Sequence, residues 1–205
     1  MGISAEEIRR GLDELASKDA RLASELQRVG YPEPRLRDTG YKTLLRTIVG
    51  QQVSVAAATS MWNKLEAELG DGFTPSCLLE RDFDTLRACG LSRQKQGYAR
   101  SLCELVAAGE IDFDGLPEGD EDAIEELTRI KGIGRWSAEI YLMFAEGRAD
   151  MWPAGDLAVQ EGVKRLLDLP ERPKERELRE IGEQWRPYRG AMALFSWRYY
   201  DAPAL

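Results

Sequence analysis

The sequence predicts an all-α fold of two helical lobes around a cleft. Apolar residues recur at spacings of three and four along most of the chain, and no run alternates long enough for a strand. Ser, Asp and Gly stand where those periodic segments begin and end. At 205 residues the chain can bury one substantial core or two small ones. The arrangement expected is a single 1–205 unit with a middle lobe over 38–148 and a terminal lobe made of 1–37 and 149–205.

The elements follow in order. Ser4 and Glu7 form a capping box ahead of a helix whose face carries Ile8, Leu12, Leu15 and Ala16. A short helix over about 19–28 stops at Gly30, and residues 31–39, with two prolines, read as a loop. Leu44, Leu45, Ile48 and Val49 suit a buried helix from Tyr41 that breaks at Gly50-Gln51-Gln52. Ser54 caps the next helix, with Val55, Ala58, Trp62, Leu65 and Leu69 on one face. Short helices are predicted over 76–79 and 83–89. Ser92 then opens a locally basic helix carrying Tyr98, Leu102, Leu105 and Val106. An acidic turn at 118–122 precedes a helix with Ile124, Leu127 and Ile130, where carboxylates favour the N-terminus. A hairpin, Lys131-Gly132-Ile133-Gly134, leads into a helix over 135–146. Helices over about 157–167 and 175–184 follow, and the last helix is rich in aromatics: Phe195, Trp197, Tyr199 and Tyr200.

Composition removes several chemistries. There is no histidine, so acid–base work falls to carboxylates, Lys, Tyr or water. Cys77, Cys89 and Cys103 are three, widely spaced and without a CxxC. That argues against a disulfide framework, a zinc site or an iron–sulfur loop and reads them as small buried hydrophobes. Apolar runs are far short of a membrane span and the N-terminus has no hydrophobic signal region, which together point to an intracellular soluble protein. A net charge of −8 argues against a nucleic-acid partner unless a basic face is local, although the cations are mostly arginine, the better bidentate phosphate ligand.

The chain is organised around residues 127–165. Gly132 and Gly134 permit close approach of a phosphate, and the unpaired N–H groups of the helix that starts there can face it. Hairpin carbonyls could also hold a monovalent cation. A plain helix–turn–helix corner has the same residues. Asp156, after Pro153-Ala154-Gly155 and just before a helical pattern, is placed either as a functional acid or as an N-cap. Trp136 shares a helix face with Ile140 and Met143 and suits core packing as well as a site. Gln51 and Gln52 form either an ordinary polar loop or an exposed vertex between two helices.

Four passages in this order, IVGQQVSVAAA (48–58), LSRQKQGYARSL (91–102), LTRIKGIGRWSAEIYLM with MWPAGDLAVQ (127–160) and WRPYRGAMALFSWRYY (185–200), resemble the helix-hairpin-helix (HhH-GPD) DNA glycosylase superfamily, DNA-3-methyladenine glycosylase II branch. The resemblance covers roughly residues 15 to 200. It implies Asp156 as the catalytic acid and Trp136, Trp197 and Ile140 as base-pocket residues, Ile140 replacing an aromatic of some relatives. It implies DNA contacts at Gln51, Gln52, Lys131, Gly132, Ile133, Gly134 and Arg135, with Gln51 and Gln52 entering the stack when a base is flipped. Trp136 stands where bifunctional relatives place a nucleophilic lysine, so strand cleavage is not expected.

The partner implied is double-stranded DNA with damaged bases, met by a monomer without membrane attachment, in the nucleoid-associated cytoplasm of a prokaryote or the nucleus of a eukaryote. No cofactor and no iron–sulfur cluster is implied, though K+ or Na+ could sit on the carbonyls of Thr128, Ile130 and Ile133. The activity implied is monofunctional excision of alkylated purines of the 3-methyladenine and 7-methylguanine type. The alternatives are a glycosylase for another damaged or mismatched base, a non-catalytic DNA-binding module, and an all-α protein without DNA contact.

Overall fold

A computed structural model describes residues 2–203. The fold is all-α, with no strand among the described residues. The helices are α1 (Ala5–Ala16), α2 (Ala20–Val29), α3 (Tyr41–Gly50), α4 (Val55–Leu69), α5 (Pro75–Leu79), α6 (Phe83–Ala88), α7 (Arg93–Ala107), α8 (Asp120–Thr128), α9 (Arg135–Tyr141), α10 (Leu157–Leu167), α11 (Glu175–Gly182) and α12 (Arg189–Asp201). None of them is long and apolar enough to cross a membrane.

Six of these helices start on side-chain oxygens that the sequence offers. Ser4 accepts from the Glu7 N–H while the Glu7 carboxylate accepts from the Ser4 N–H, a complete capping box. Asp19, Ser54, Asp82, Ser92 and Asp156 cap α2, α4, α6, α7 and α10 one-way, each side-chain oxygen accepting from an amide of the first turn. Such a cap contributes about 1 kcal/mol by satisfying amides that the first turn leaves without a partner.

The chain divides into two compact units, 38–138 and 1–37 with 139–205. The second crossing falls inside α9 rather than at 148. In the unit 38–138, α3 packs on α4 and α7, and α7 also carries α5 and α6. Leu44, Leu45, Ile48, Leu65, Leu78, Leu86, Leu91 and Leu102 are fully enclosed there. In the other unit α12 packs on α10 and α1, and α1 on α2, with Ile8, Leu12, Leu22 and Phe195 fully enclosed.

Several expectations need correction. Val55, assigned to the apolar face of α4, is 85% exposed, because Trp62, Leu65 and Leu69 alone supply that helix's buried stripe. On α7 the enclosed residues are Gln96, Ala99, Ser101, Leu102 and Cys103, while Tyr98, Leu105 and Val106 are half-buried. Gln96 is tolerated inside because its amide donates to the carbonyls of Phe83 and Leu91, both at 3.1 Å. The helix begun by α9 does not stay α-helical to 146. Leu142–Glu146 form a π turn that ends at left-handed Gly147. The helix at 175 ends at Gly182, and Glu183–Trp185 continue it as a 3-10 turn. Cys89 and Cys103 are buried, but Cys77 is half-buried.

Candidate functional site

Each unit carries one cluster of the residues singled out by the sequence. In the unit 38–138 the cluster is built on the hairpin. The Ile133 N–H donates to the Ile130 carbonyl at 3.0 Å, closing the turn with Gly132 at φ +83°. A β-carbon on Gly132 would lie 2.2 Å from Tyr98 Cδ2, so the bare backbone is seated on that ring. The hairpin is pinned from below by the Lys131 N–H, which donates to Ser101 Oγ at 3.1 Å. From the side, Gln51 Nε2 donates to the Gly132 carbonyl at 2.9 Å.

The sequence placed Gln51 and Gln52 together at one corner, and the structure gives them different surroundings. Gln51 ties the end of α3 to the hairpin. Gln52 is exposed at φ +55°, in the left-handed region that costs an L-residue about 1–2 kcal/mol. The corner is held from behind by Lys95 Nζ, 2.7 Å from the Val49 carbonyl at the end of α3. Burial lowers the pKa of this lysine from its ordinary value.

Lys131, Gly132 and Gly134 are exposed, whereas Ile133 is buried and serves as the anchor of the turn. Arg135 forks onto Glu121, at 2.7 Å and 2.5 Å. Both side chains of that pair reach solvent, so it is worth about 0–1 kcal/mol and another anion can replace the carboxylate. Trp136 is 45% exposed. Thr128 ends α8 and Ile130 follows it, so their carbonyls lie at the negative end of that helix. No group of three or more His, Cys, Asp or Glu able to hold a metal occurs among the described residues.

In the unit 1–37 with 139–205, the site is Asp156. It caps α10, and its Oδ1 accepts from the Ala158 N–H at 2.9 Å and the Val159 N–H at 3.1 Å. A third donor is Trp197 Nε1 at 3.0 Å, from α12. The N-cap role and the proximity to an aromatic thus belong to the same carboxylate. Trp197 reaches it because α10 and α12 touch closely at Gly162, where a β-carbon would stand 2.4 Å from the Ser196 carbonyl oxygen. Trp197 is 7% exposed and lies against Phe144 of the π turn, with ring centroids 5.7 Å apart. Ile140 is buried.

The loop that delivers Asp156 is braced by residues the sequence reading missed. Gln160 Nε2 donates to the Ala154 carbonyl at 2.8 Å, and Trp152 Nε1 to the Leu178 carbonyl at 2.9 Å. Arg179 joins buried Glu139, at 2.9 Å, to the Trp152 carbonyl at 3.4 Å. Glu139 at helical spacing among apolar residues was a visible signal of a buried charge, but its partner forty positions away was not.

The sequence matches the family described as HhH-GPD superfamily base excision DNA repair protein over residues 45–187. It is 35% identical over 162 residues to DNA-3-methyladenine glycosylase 1 of Schizosaccharomyces pombe, covering 77% of this chain and 71% of that protein. Among solved structures, the DNA-3-methyladenine glycosidase of Bacillus halodurans superposes with a TM-score of 0.85 at 30% identity, over 98% of this chain and 92% of that one. The 3-methyladenine DNA glycosylase of Schizosaccharomyces pombe in complex with abasic DNA superposes with a TM-score of 0.79 at 32% identity, over 92% and 95%.

Proposed function

This chain belongs to the HhH-GPD superfamily of base excision DNA repair proteins, and we propose that it is a DNA glycosylase that hydrolyses the N-glycosidic bond of alkylated bases in duplex DNA. Similarity to 3-methyladenine glycosylases of yeast and bacteria supports the reaction. The observation that carries it is Asp156, a carboxylate whose Oδ1 is held by two backbone amides and one indole N–H.

The chemistry runs from that carboxylate. A base inside the duplex must be extruded before its glycosidic bond is reachable. Cleavage then builds positive charge on the sugar, and an oriented, ionised Asp156 stabilises it and directs the attacking water. N-alkylated purines of the 3-methyladenine and 7-methylguanine type are cationic and leave readily, so a strong general acid is unnecessary and the lack of histidine is no obstacle. Trp136 and Trp197 are proposed to offer π faces to such bases, each contact worth about 0.5–2 kcal/mol. Trp136 cannot form a Schiff base, which makes the enzyme a hydrolase without lyase activity.

DNA is gripped by the hairpin in this reading. The N–H groups opening α9 face a backbone phosphate, assisted by Lys131 and by Arg135 once it exchanges Glu121 for phosphate. Gln52, exposed at the corner, fills the space left by the extruded base. Thr128, Ile130 and Ile133 would hold a K+ or Na+ through hard carbonyl oxygens. Ile130 O accepts one N–H and retains a second lone pair for the ion. The ion would supply positive charge against the phosphate. The chain is proposed to act as a monomer.

The test is release of 3-methyladenine or 7-methylguanine from methylated duplex DNA, wild type beside Asp156→Asn. A panel of single-lesion duplexes separates this substrate class from deaminated or mismatched bases.

A further inference from the structure

We propose that Arg35 is a specificity-determining residue of this site. Its guanidinium occupies a face of Trp197 as a resident cation, a flipped base must displace it to stack there, and that competition sets the preference between charged and neutral bases. The proposal rests on the assignment of Trp197 and Asp156 to base excision made above.

Arg35 Cζ lies 4.8 Å from the centroid of the Trp197 ring and 5.9 Å from that of Phe144. Arg37 adds a second guanidinium 5.6 Å from the Phe144 centroid. Trp197 is 7% exposed, with its indole N–H on Asp156. A base can therefore stack on the ring only if one of its covers leaves. Phe144 is buried in the π turn and cannot leave without disturbing the core. The Arg35 side chain is exposed, and its guanidinium makes no hydrogen bond or ion pair among the described residues. It is the cover that can be moved.

The backbone beneath it is not free to follow. Gly2 packs so closely that a β-carbon there would lie 2.9 Å from the Arg35 carbonyl oxygen and 2.6 Å from that of Phe144. Two residues on, the Arg37 N–H donates to the Phe144 carbonyl at 2.8 Å. The competitor is thus tethered beside the ring. Once displaced, it stays close enough to act on the charge of whatever replaced it.

Two effects follow, with different selectivities. Giving up an exposed cation–π contact weakens every base by about twofold to fivefold. The displaced positive charge, remaining at the rim, disfavours a cationic base over a neutral one by roughly threefold to sevenfold in a largely aqueous dielectric. Removing Arg35 relieves the first effect for all bases and the second for cationic bases alone.

The experiment is single-turnover excision of 7-methylguanine, cationic, and hypoxanthine, neutral, from otherwise identical duplexes. The proteins are wild type, Arg35→Ala, Arg35→Gln and Arg35→Lys. Arg35→Ala and Arg35→Gln should raise the ratio of 7-methylguanine to hypoxanthine excision about threefold or more, while Arg35→Lys stays within about twofold of wild type. An unchanged or lower ratio in the two neutral variants, or a lysine variant that behaves like alanine, overturns the proposal.

Release of neither base by wild type would count against the glycosylase reading itself. The claim for Arg35 is then decided without catalysis, by titrating 3,9-dimethyladeninium and 9-methyladenine against the indole N–H resonance of Trp197, assigned with Trp197→Phe. Tighter binding of the cation to Arg35→Ala than to wild type supports displacement, and equal binding refutes it.

Discussion

Gly132→Ala tests the hairpin as a structural clamp, and its cost can be worked from two observations. The residue sits at φ +83°, where a β-carbon costs about 1–2 kcal/mol. That β-carbon would also meet Tyr98 Cδ2 at 2.2 Å, an overlap that overpacked sites relieve at about 1–3 kcal/mol. Together these predict a loss of about 2–5 kcal/mol, or roughly 4–20 °C in Tm for a chain of this size. Affinity for an abasic duplex, followed by fluorescence anisotropy, should fall along with Tm. Tyr98→Ala separates the two parts. In the Gly132→Ala/Tyr98→Ala double variant the steric part is relieved and the backbone part stays, so a double-mutant cycle should show coupling of about 1–3 kcal/mol. A Gly132→Ala protein that melts within about 1 °C of wild type and binds DNA equally well would refute the seating of the hairpin on Tyr98.

Other outcomes are expected from the same geometry. Trp197→Phe keeps an aromatic ring against Phe144 but removes one of the donors to Asp156 Oδ1; with the two backbone donors intact, the single-turnover rate should fall about tenfold, and loss of a buried hydrogen bond to a carboxylate should lower Tm by about 3–12 °C. Wild-type protein should leave abasic strands uncut on a denaturing gel until alkali is added. Maleimide should label Cys77 first, because its thiol is half-exposed and its pKa is lowered chiefly by the hydrogen bond with Thr74, whereas burial pushes Cys103 up to about 12. Unfolded Cys103 ionises from about pH 9 while the folded thiol stays protonated. Native stability therefore falls as pH rises between about 9 and 12, by at most about 1.4 kcal/mol per pH unit, and Cys103→Ala should flatten that limb of a urea-denaturation series.

Helix starts were legible because they are local. Ser4, Asp19, Ser54, Ser92 and Asp156 bond amides two or three residues away, so each cap is written within a few letters of its helix. The hairpin was legible for the same reason. What stayed hidden depends on distant partners. Gln96 is inside α7's packing because Phe83 and Leu91 present carbonyls to it, which no periodicity reveals. Val55 fits the helical pattern of α4, yet nothing comes to cover it. The Asp156–Trp197 bond joins residues 41 apart in sequence and exists because Gly162 lets α12 approach α10. The resemblance named both residues without the bond between them. Likewise it named Gln51, but not that its amide is held by the Gly132 carbonyl.

We propose that Asp156 acts as a charge and not only as the cap of α10. Asn at 156 keeps an oxygen able to accept from Ala158, Val159 and Trp197 and loses the negative charge. The decisive measurement is single-turnover release of 7-methylguanine from a duplex by wild type and Asp156→Asn, with Tm recorded for both. Asp156→Asn should lower the rate about a hundredfold or more at nearly unchanged Tm, as for loss of a group that stabilises developing charge. Full activity in Asp156→Asn would contradict it.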